Sequence, residues 1–214
     1  VVCSSDLDGL YAGGNSTFFG CTATGNGGGG MMATGTGDFS SCVSTGNTGG
    51  YGLYCGSEGT FFGCTSGSNG STGISAGSGT STVDGCDVTN NSGGGVSIGG
   101  NGTFNSLYIT GNGGTGISAG TGGSFFLDCE LNNNAGTGIS VGTGTSTFTD
   151  ITVSNSSSGR GIYNSGTGEF VNVIVSGSSG DVIYTGSSSS LNNGSSSDNG
   201  GSGIWVESAV FPTS

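Results

Sequence analysis

The chain has 214 residues, of which 30% are hydrophobic and 7% charged, with 52 glycines, seven cysteines, no histidine and a formal net charge of −12. One basic residue, Arg160, stands against thirteen acidic ones. That balance excludes nucleic-acid binding, which needs Lys and Arg on the phosphates, and it disfavours anionic membrane surfaces. No apolar run approaches the ~20 residues of a membrane span.

Hydrophobicity this low predicts disorder unless the apolar residues recur regularly. Here they do. An apolar residue, usually after Gly, opens each unit: Leu10, Met31, Leu53, Ile74, Val96, Ile117, Ile139, Ile162, Ile183 and Ile204. The gaps are 21, 22, 21, 22, 21, 22, 23, 21 and 21 residues. A period this constant predicts a solenoid. About eight residues on comes Phe18, Phe39, Phe61, Val83, Phe104, Phe126, Phe148, Phe170 and Leu191. Three further on comes Cys21, Cys42, Cys64, Cys86, Leu107, Cys129, Ile151 and Val173. Two beyond that, Ala23, Val88, Ile109, Leu131, Val153 and Val175 recur, and Asn26, Asn47, Asn69, Asn91, Asn112, Asn134 and Asn199 close their units.

Spacing of two within a segment is strand alternation, so Ile117 and Ala119 face one way and Ser118 the other. Spacing of three between the Phe and Cys columns breaks the alternation and implies a bend between two strands. A helix is excluded: no 3.6-residue stripe persists, and each glycine costs roughly 1 kcal/mol in a helix interior. The prediction is an all-β chain, a single right-handed parallel β-helix over 1–214. It has about ten coils of 21–22 residues with three short strands per coil, and so a rod about 45–50 Å long at ~4.8 Å per rung. The hand is assigned from the general preference of parallel crossovers.

In chain order, residues 1–8 form a partial first coil, with Val1 at the Cys position, Cys3 at the Val position and Asp6 at the Asn position. The coil at 182–199 carries Gly194 and Ser196 where others carry Cys and Val, and is expected to be thin. Residues 203–214 form a partial last coil, with Ile204 and Val206 on a first strand and Val210 or Phe211 near the Phe column. The chain opens without Met or a signal-peptide pattern and reads as a mature or excised piece. The two partial coils are complementary. Head-to-tail stacking of copies would complete a rung through Val1, Cys3, Leu10, Tyr11, Ile204, Trp205, Val206 and Phe211; a piece cut from a longer solenoid would look the same.

The units resemble the β-helix repeat of the pectate-lyase-like superfamily. Their Gly-x-Gly-Ile and Phe-x-x-Cys elements also resemble the repeats of chlamydial polymorphic outer-membrane proteins. The resemblance implies the fold, which hosts enzymes, adhesins and rods alike.

Several columns are candidates for function. Cys21, Cys42, Cys64, Cys86 and Cys129 form an inward ladder, read as buried thiols, with bridges such as Cys21–Cys42 or Cys64–Cys86 as the alternative. Cys55 falls in the inward column of the first strand. No cofactor is implied, and zinc is disfavoured because no histidine is present and the thiols do not converge on a point. Outward first-strand positions are Tyr11, Met32, Tyr54, Ser75, Ser97, Ser118, Ser140, Tyr163, Tyr184 and Trp205; the aromatics at the two ends suit contacts with other subunits, or sugar rings. Asp128, Glu130 and Asp150, with Asp87 further along, could make a shallow acidic patch for loosely held Ca²⁺, but solvated carboxylates are the favoured reading and catalysis is not expected. Thr17, Thr60, Thr82, Thr103 and Thr147 form an outward column suggestive of ice binding, interrupted by Asp38, Ser124 and Glu169. Sequons at Asn15, Asn69, Asn90, Asn101, Asn155 and Asn193 are possible N-glycosylation sites. The function expected is an extracellular structural protein, a filament subunit partnered by copies of itself or the stalk of a surface protein, with ice binding or a glycan-binding adhesin as alternatives.

Overall fold

The computed structural model describes residues 8–206; Val1, Cys3 and Phe211 of the expected interface, with Asp6, lie outside the described residues. Every described strand pairing is parallel, and each strand pairs with its counterpart one repeat away. The first strands, from Leu10–Ala12 through Met31–Ala33 to Ile204–Val206, form one ten-stranded sheet in strict coil order. Its register follows the opening column: Leu10 on Met31, Ile117 on Ile139, Ile183 on Ile204. The second and third strands form a fourteen-stranded sheet around the other sides. Nine coils are complete, and Ile204–Val206 begins a tenth.

The bend expected between the Phe and Cys columns has one cause. In each of the nine coils a single residue there takes a positive φ: Gly20, Ser41, Gly63, Gly85, Ser106, Asp128, Asp150, Asn172 and Asn193. One left-handed residue turns the chain and resets the in–out phase, so Phe18 and Cys21 both point inward with Phe19 outward. Gly, Asn and Asp tolerate that conformation best, which is why they crowd these corners. In the four coils from 102 to 176 the two strands merge through this corner into single bent strands: Gly102–Thr110, Phe125–Asn132, Thr145–Ser154 and Thr167–Ser176. The three-strand unit expected for each coil is kept, with its second and third strands continuous through the corner in these four. A second left-handed column follows the third strand, at Gly25, Gly46, Ser68, Asn90, Gly111, Asn133, Asn155, Gly177 and Asp198.

The core is a set of ladders. Phe18, Phe39 and Phe61 stack at 4.9 and 5.0 Å between ring centroids. Val83 interrupts, and Phe104, Phe126, Phe148 and Phe170 resume at 4.6–4.7 Å. The rung spacing imposes this near-parallel stacking, and shape and burial stabilise it more than ring electrostatics do.

The asparagines that close the units point inward, because the second corner repeats the geometry of the first. Asn91 is representative. Its Oδ1 accepts from the backbone N–H and the Nδ2 of Asn69, at 3.0 and 2.9 Å. Its Nδ2 donates to Ser66 O and to Asn112 Oδ1, both at 3.0 Å. The same pattern links Asn26, Asn47, Asn69, Asn91, Asn112 and Asn134. Ser156 and Ser178 then take the position, and the hydroxyl of Ser178 is buried without a partner. The glycine before every first strand but Ile183–Thr185, which follows Val182, makes room for this ladder: a Cβ on Gly52 would come within 2.6 Å of Asn69 Nδ2 and of Gly73 O.

Two expectations are corrected. Asn69, counted as a glycosylation sequon, is a rung of this ladder, 1% exposed, and offers no room for a glycan. Ser124, counted into the outward threonine column, is buried, and its hydroxyl accepts from Gly102 N. Phe125 takes the outward place beside Thr103 and Thr147. The stretch from Ile117 to Phe126 has one residue more than its equivalent from Val96 to Phe104, so counting from the opening column slips by one there.

The ninth coil is thin, as its Gly and Ser content predicts. Leu191 is 39% exposed, Gly194 and Ser196 are exposed, and a hollow of about 50 Å³ lies between Leu191, Val173, Val182 and Ile204.

Breaking the ladder should cost more than its size suggests. Asn91→Ala leaves Asn69 N–H buried and unpaired, at ~1–3 kcal/mol, and takes one hydrogen bond each from Ser66 C=O and Asn112 Oδ1. The urea midpoint should fall accordingly, while Asn90→Gly, one residue away on the surface at a positive φ, should leave it within about 0.5 kcal/mol of the parent.

Candidate functional site

The ten outward first-strand residues stand in one column, in register from Tyr11 on Met32 to Tyr184 on Trp205. Its two aromatic ends differ. At one end Tyr11 is exposed, Leu10 packs partly against the core, and Tyr54 stacks on Tyr51 at 5.1 Å. At the other end Tyr163 stacks on Tyr184 at 5.2 Å, and Ile204 and Trp205 are about half exposed. Val206 is the last residue of its strand. Leu10 and Tyr11 therefore lie nine rungs from Ile204 and Trp205, and one chain does not bring them together.

Arg160, the single basic residue, caps the second aromatic group. Its guanidinium lies 5.1 Å from the Tyr163 ring centroid and 4.7 Å from that of Tyr184, and its Nε donates to Asp181 Oδ2 at 3.3 Å. The signal was present. Asp181 follows Arg160 by 21 residues, one coil, and each precedes its tyrosine by three. An open depression of about 400 Å³ lies beside the pair, lined by Thr137, Ser158, Ser179 and Asp181.

The carboxylates are dispersed. Asp128 and Asp150 occupy left-handed corners, where Asp128 Oδ2 accepts from Ser106 Oγ and Asp150 Oδ1 from Asn172 Nδ2. Asp87 and Glu130 lie on the outer side of the third strand with Tyr108 between them. Asp38 and Glu58 line a separate pit of about 130 Å³ with Thr36, Thr60, Thr80 and Thr82. Among the described residues no three potential metal ligands converge.

The thiols stack inward, and those at Cys21, Cys42, Cys55, Cys64, Cys86 and Cys129 are unbridged. Cys42, Cys64, Cys86 and Cys129 each donate to a Phe carbonyl of the preceding coil, at 3.4–3.7 Å. Burial pushes Cys42 and Cys55 up to about 11 and Cys129 up to about 12. Its hydrogen bond with Cys64, and then burial, keep Cys86 protonated.

Of the remaining sequons, Asn15, Asn90, Asn155 and Asn193 are exposed and Asn101 is half-buried. Asn90, Asn155 and Asn193 occupy left-handed corners.

These thiols set a pH dependence. The folded pKa values of Cys42, Cys55 and Cys129 lie above the ordinary 9.0, so at these three the folded state keeps protons that the unfolded chain releases. Their contribution is complete below pH 9 and is lost as pH rises through about 11–12. Unfolding free energy measured from pH 8 upward should fall over that window, and less steeply in Cys129→Val, a residue type already present in the column at Val173.

A family model described as a right handed beta helix region matches residues 2–107 and 95–213. No curated protein and no solved structure matches the chain. With those two matches spanning nearly its whole length, and nine coils built on one three-strand unit, the chain belongs to the right-handed β-helix family.

Proposed function

We propose that the chain is an extracellular structural rod that works as a segment of a fibre, stacked end to end with copies of itself. The observation that carries this reading is the unbroken register of the first sheet. Among the described residues Leu10–Ala12 pairs only with Met31–Ala33, and Ile204–Val206 only with Ile183–Thr185. Both end strands open on an apolar residue followed by an outward aromatic, Leu10 with Tyr11 and Ile204 with Trp205. A second copy placed one rung beyond Ile204 would set its Leu10 on Ile204 and its Tyr11 on Trp205, continuing the Tyr163–Tyr184 stack. A parallel edge over apolar side chains invites such pairing.

The rest of the molecule suits a passive rod. The opening residues recur every 21–23 positions, so no coil carries a long inserted loop, the usual carrier of catalytic groups. The carboxylates are dispersed along the surface, and the one ion pair among the described residues is Arg160 with Asp181. The single cation and the Ser, Thr and Asn of the outer faces suit a wet, protease-resistant exterior outside the cell.

Negative-stain electron microscopy of the purified chain tests this. Thin fibres of uniform width are expected, and Trp205→Glu or Ile204→Asp should leave folded single rods with an unchanged circular dichroism spectrum. Discrete short rods from the unsubstituted chain at high concentration would overturn the proposal.

A further inference from the structure

Six described asparagines precede glycine: Asn26, Asn69, Asn101, Asn112, Asn193 and Asn199. In an Asn–Gly pair the backbone nitrogen of glycine can reach the asparagine's side-chain carbonyl carbon, because no Cβ obstructs the approach. The reaction needs a glycine amide free to lose its proton, a carboxamide free to turn onto it, and water.

Most of these pairs are locked. Gly70 N donates to Asn47 O at 2.7 Å, Gly113 N to Asn91 O at 2.9 Å, and Gly200 N to Ser178 O at 2.8 Å. The carboxamides of Asn69 and Asn112 are held on both sides by the ladder. Gly102 N donates to Ser124 Oγ. The carboxamide of Asn26 is buried and donates to Asn47 Oδ1 at 2.7 Å.

Asn193 differs in every respect. It stands at the left-handed corner of the thin ninth coil, it and its neighbours from 190 to 198 are exposed, and Gly194 N has no hydrogen bond among the described residues. Among the described residues only one contact restrains its carboxamide, Nδ2 to Asn172 Oδ1 at 2.6 Å on the surface.

We infer that Asn193–Gly194 is a self-modifying site that converts without an enzyme. Gly194 N, deprotonated by hydroxide, bonds to Asn193 Cγ; the Cγ–Nδ2 bond breaks and ammonia leaves, giving a succinimide. Water then opens the ring at either carbonyl, yielding aspartate or isoaspartate, so the net change is Asn plus water to Asp plus ammonia. Either product replaces the donor facing Asn172 Oδ1 with a carboxylate. Isoaspartate also adds a methylene to the backbone between strands Ser190–Asn192 and Ser195–Ser197. Conversion therefore loosens the ninth coil, where the core is thinnest, and marks the age of that end of the rod.

The test is peptide mapping of the full chain, made without N-glycans and aged in mildly alkaline buffer. Conversion at Asn193 should be at least about tenfold faster than at Asn69 or Asn112, whose ladder must open first. It should speed up with pH and vanish in Asn193→Gly, which keeps the left-handed corner. Amide exchange on the aged protein should rise at 190–197 and stay unchanged in the preceding coils. Equal rates at Asn193 and Asn69, an unconverted Asn193, or unchanged exchange at 190–197 would each overturn the inference. Mapping the Trp205→Glu chain as well, whose end is kept free of a stacked copy, makes the result independent of fibre formation, which the microscopy tests separately.

Discussion

Parallel pairing between successive coils is the constraint on which everything else in this chain depends. No coil has a core of its own; each covers the apolar side chains of the one before it and leaves its own for the one after. The cross-section must therefore stay constant, because a coil of different outline would expose its neighbour. That demand explains why the opening residues keep a 21–23-residue spacing and why variation is absorbed at a few points, such as the extra residue before Phe126 and the Ser-rich ninth coil. It also explains how 30% hydrophobic residues suffice: nearly all of the inward ones are fully buried.

Two devices hold the cross-section constant. The left-handed corners turn the backbone in one residue and release both neighbouring side chains to the same side. The Asn ladder satisfies the polar atoms that a corner would otherwise bury unpaired, by passing each carboxamide to the coil above and the carbonyl below. Where Ser156 and Ser178 replace Asn, side-chain satisfaction fails at the Ser178 hydroxyl, and the following coil is the loosest described. The same hydrogen bonds have a chemical consequence: they shield the buried Asn–Gly pairs, whereas Asn193 has no such shelter.

The outer faces are less uniform than the core, because nothing packs on them to enforce a pattern. The first-strand column runs from aromatic to serine to aromatic, and the third-strand column mixes Thr, Val, Asp, Tyr and Glu. The threonine column is broken by Asp38, Phe125 and Glu169, a poor match to a flat, regular array.

The sequence by itself determined the period, the number of coils, the pairing partner of nearly every strand and the inward identity of the Phe, Cys and aliphatic columns. Period-2 alternation and a constant repeat carry that information locally. It did not determine what happens across a corner. Alternation loses its phase at a residue with positive φ, so the inward turn of the Asn column went unread, although Ala23 to Asn26 has the same spacing of three as Phe18 to Cys21. The burial of Asn69, the exchange of Ser124 for Phe125 and the seating of Arg160 on two tyrosines and Asp181 were likewise decided only by stacking one coil on the next. Each depends on which atoms stand a rung away, and that is a property of the assembled solenoid, not of any single unit.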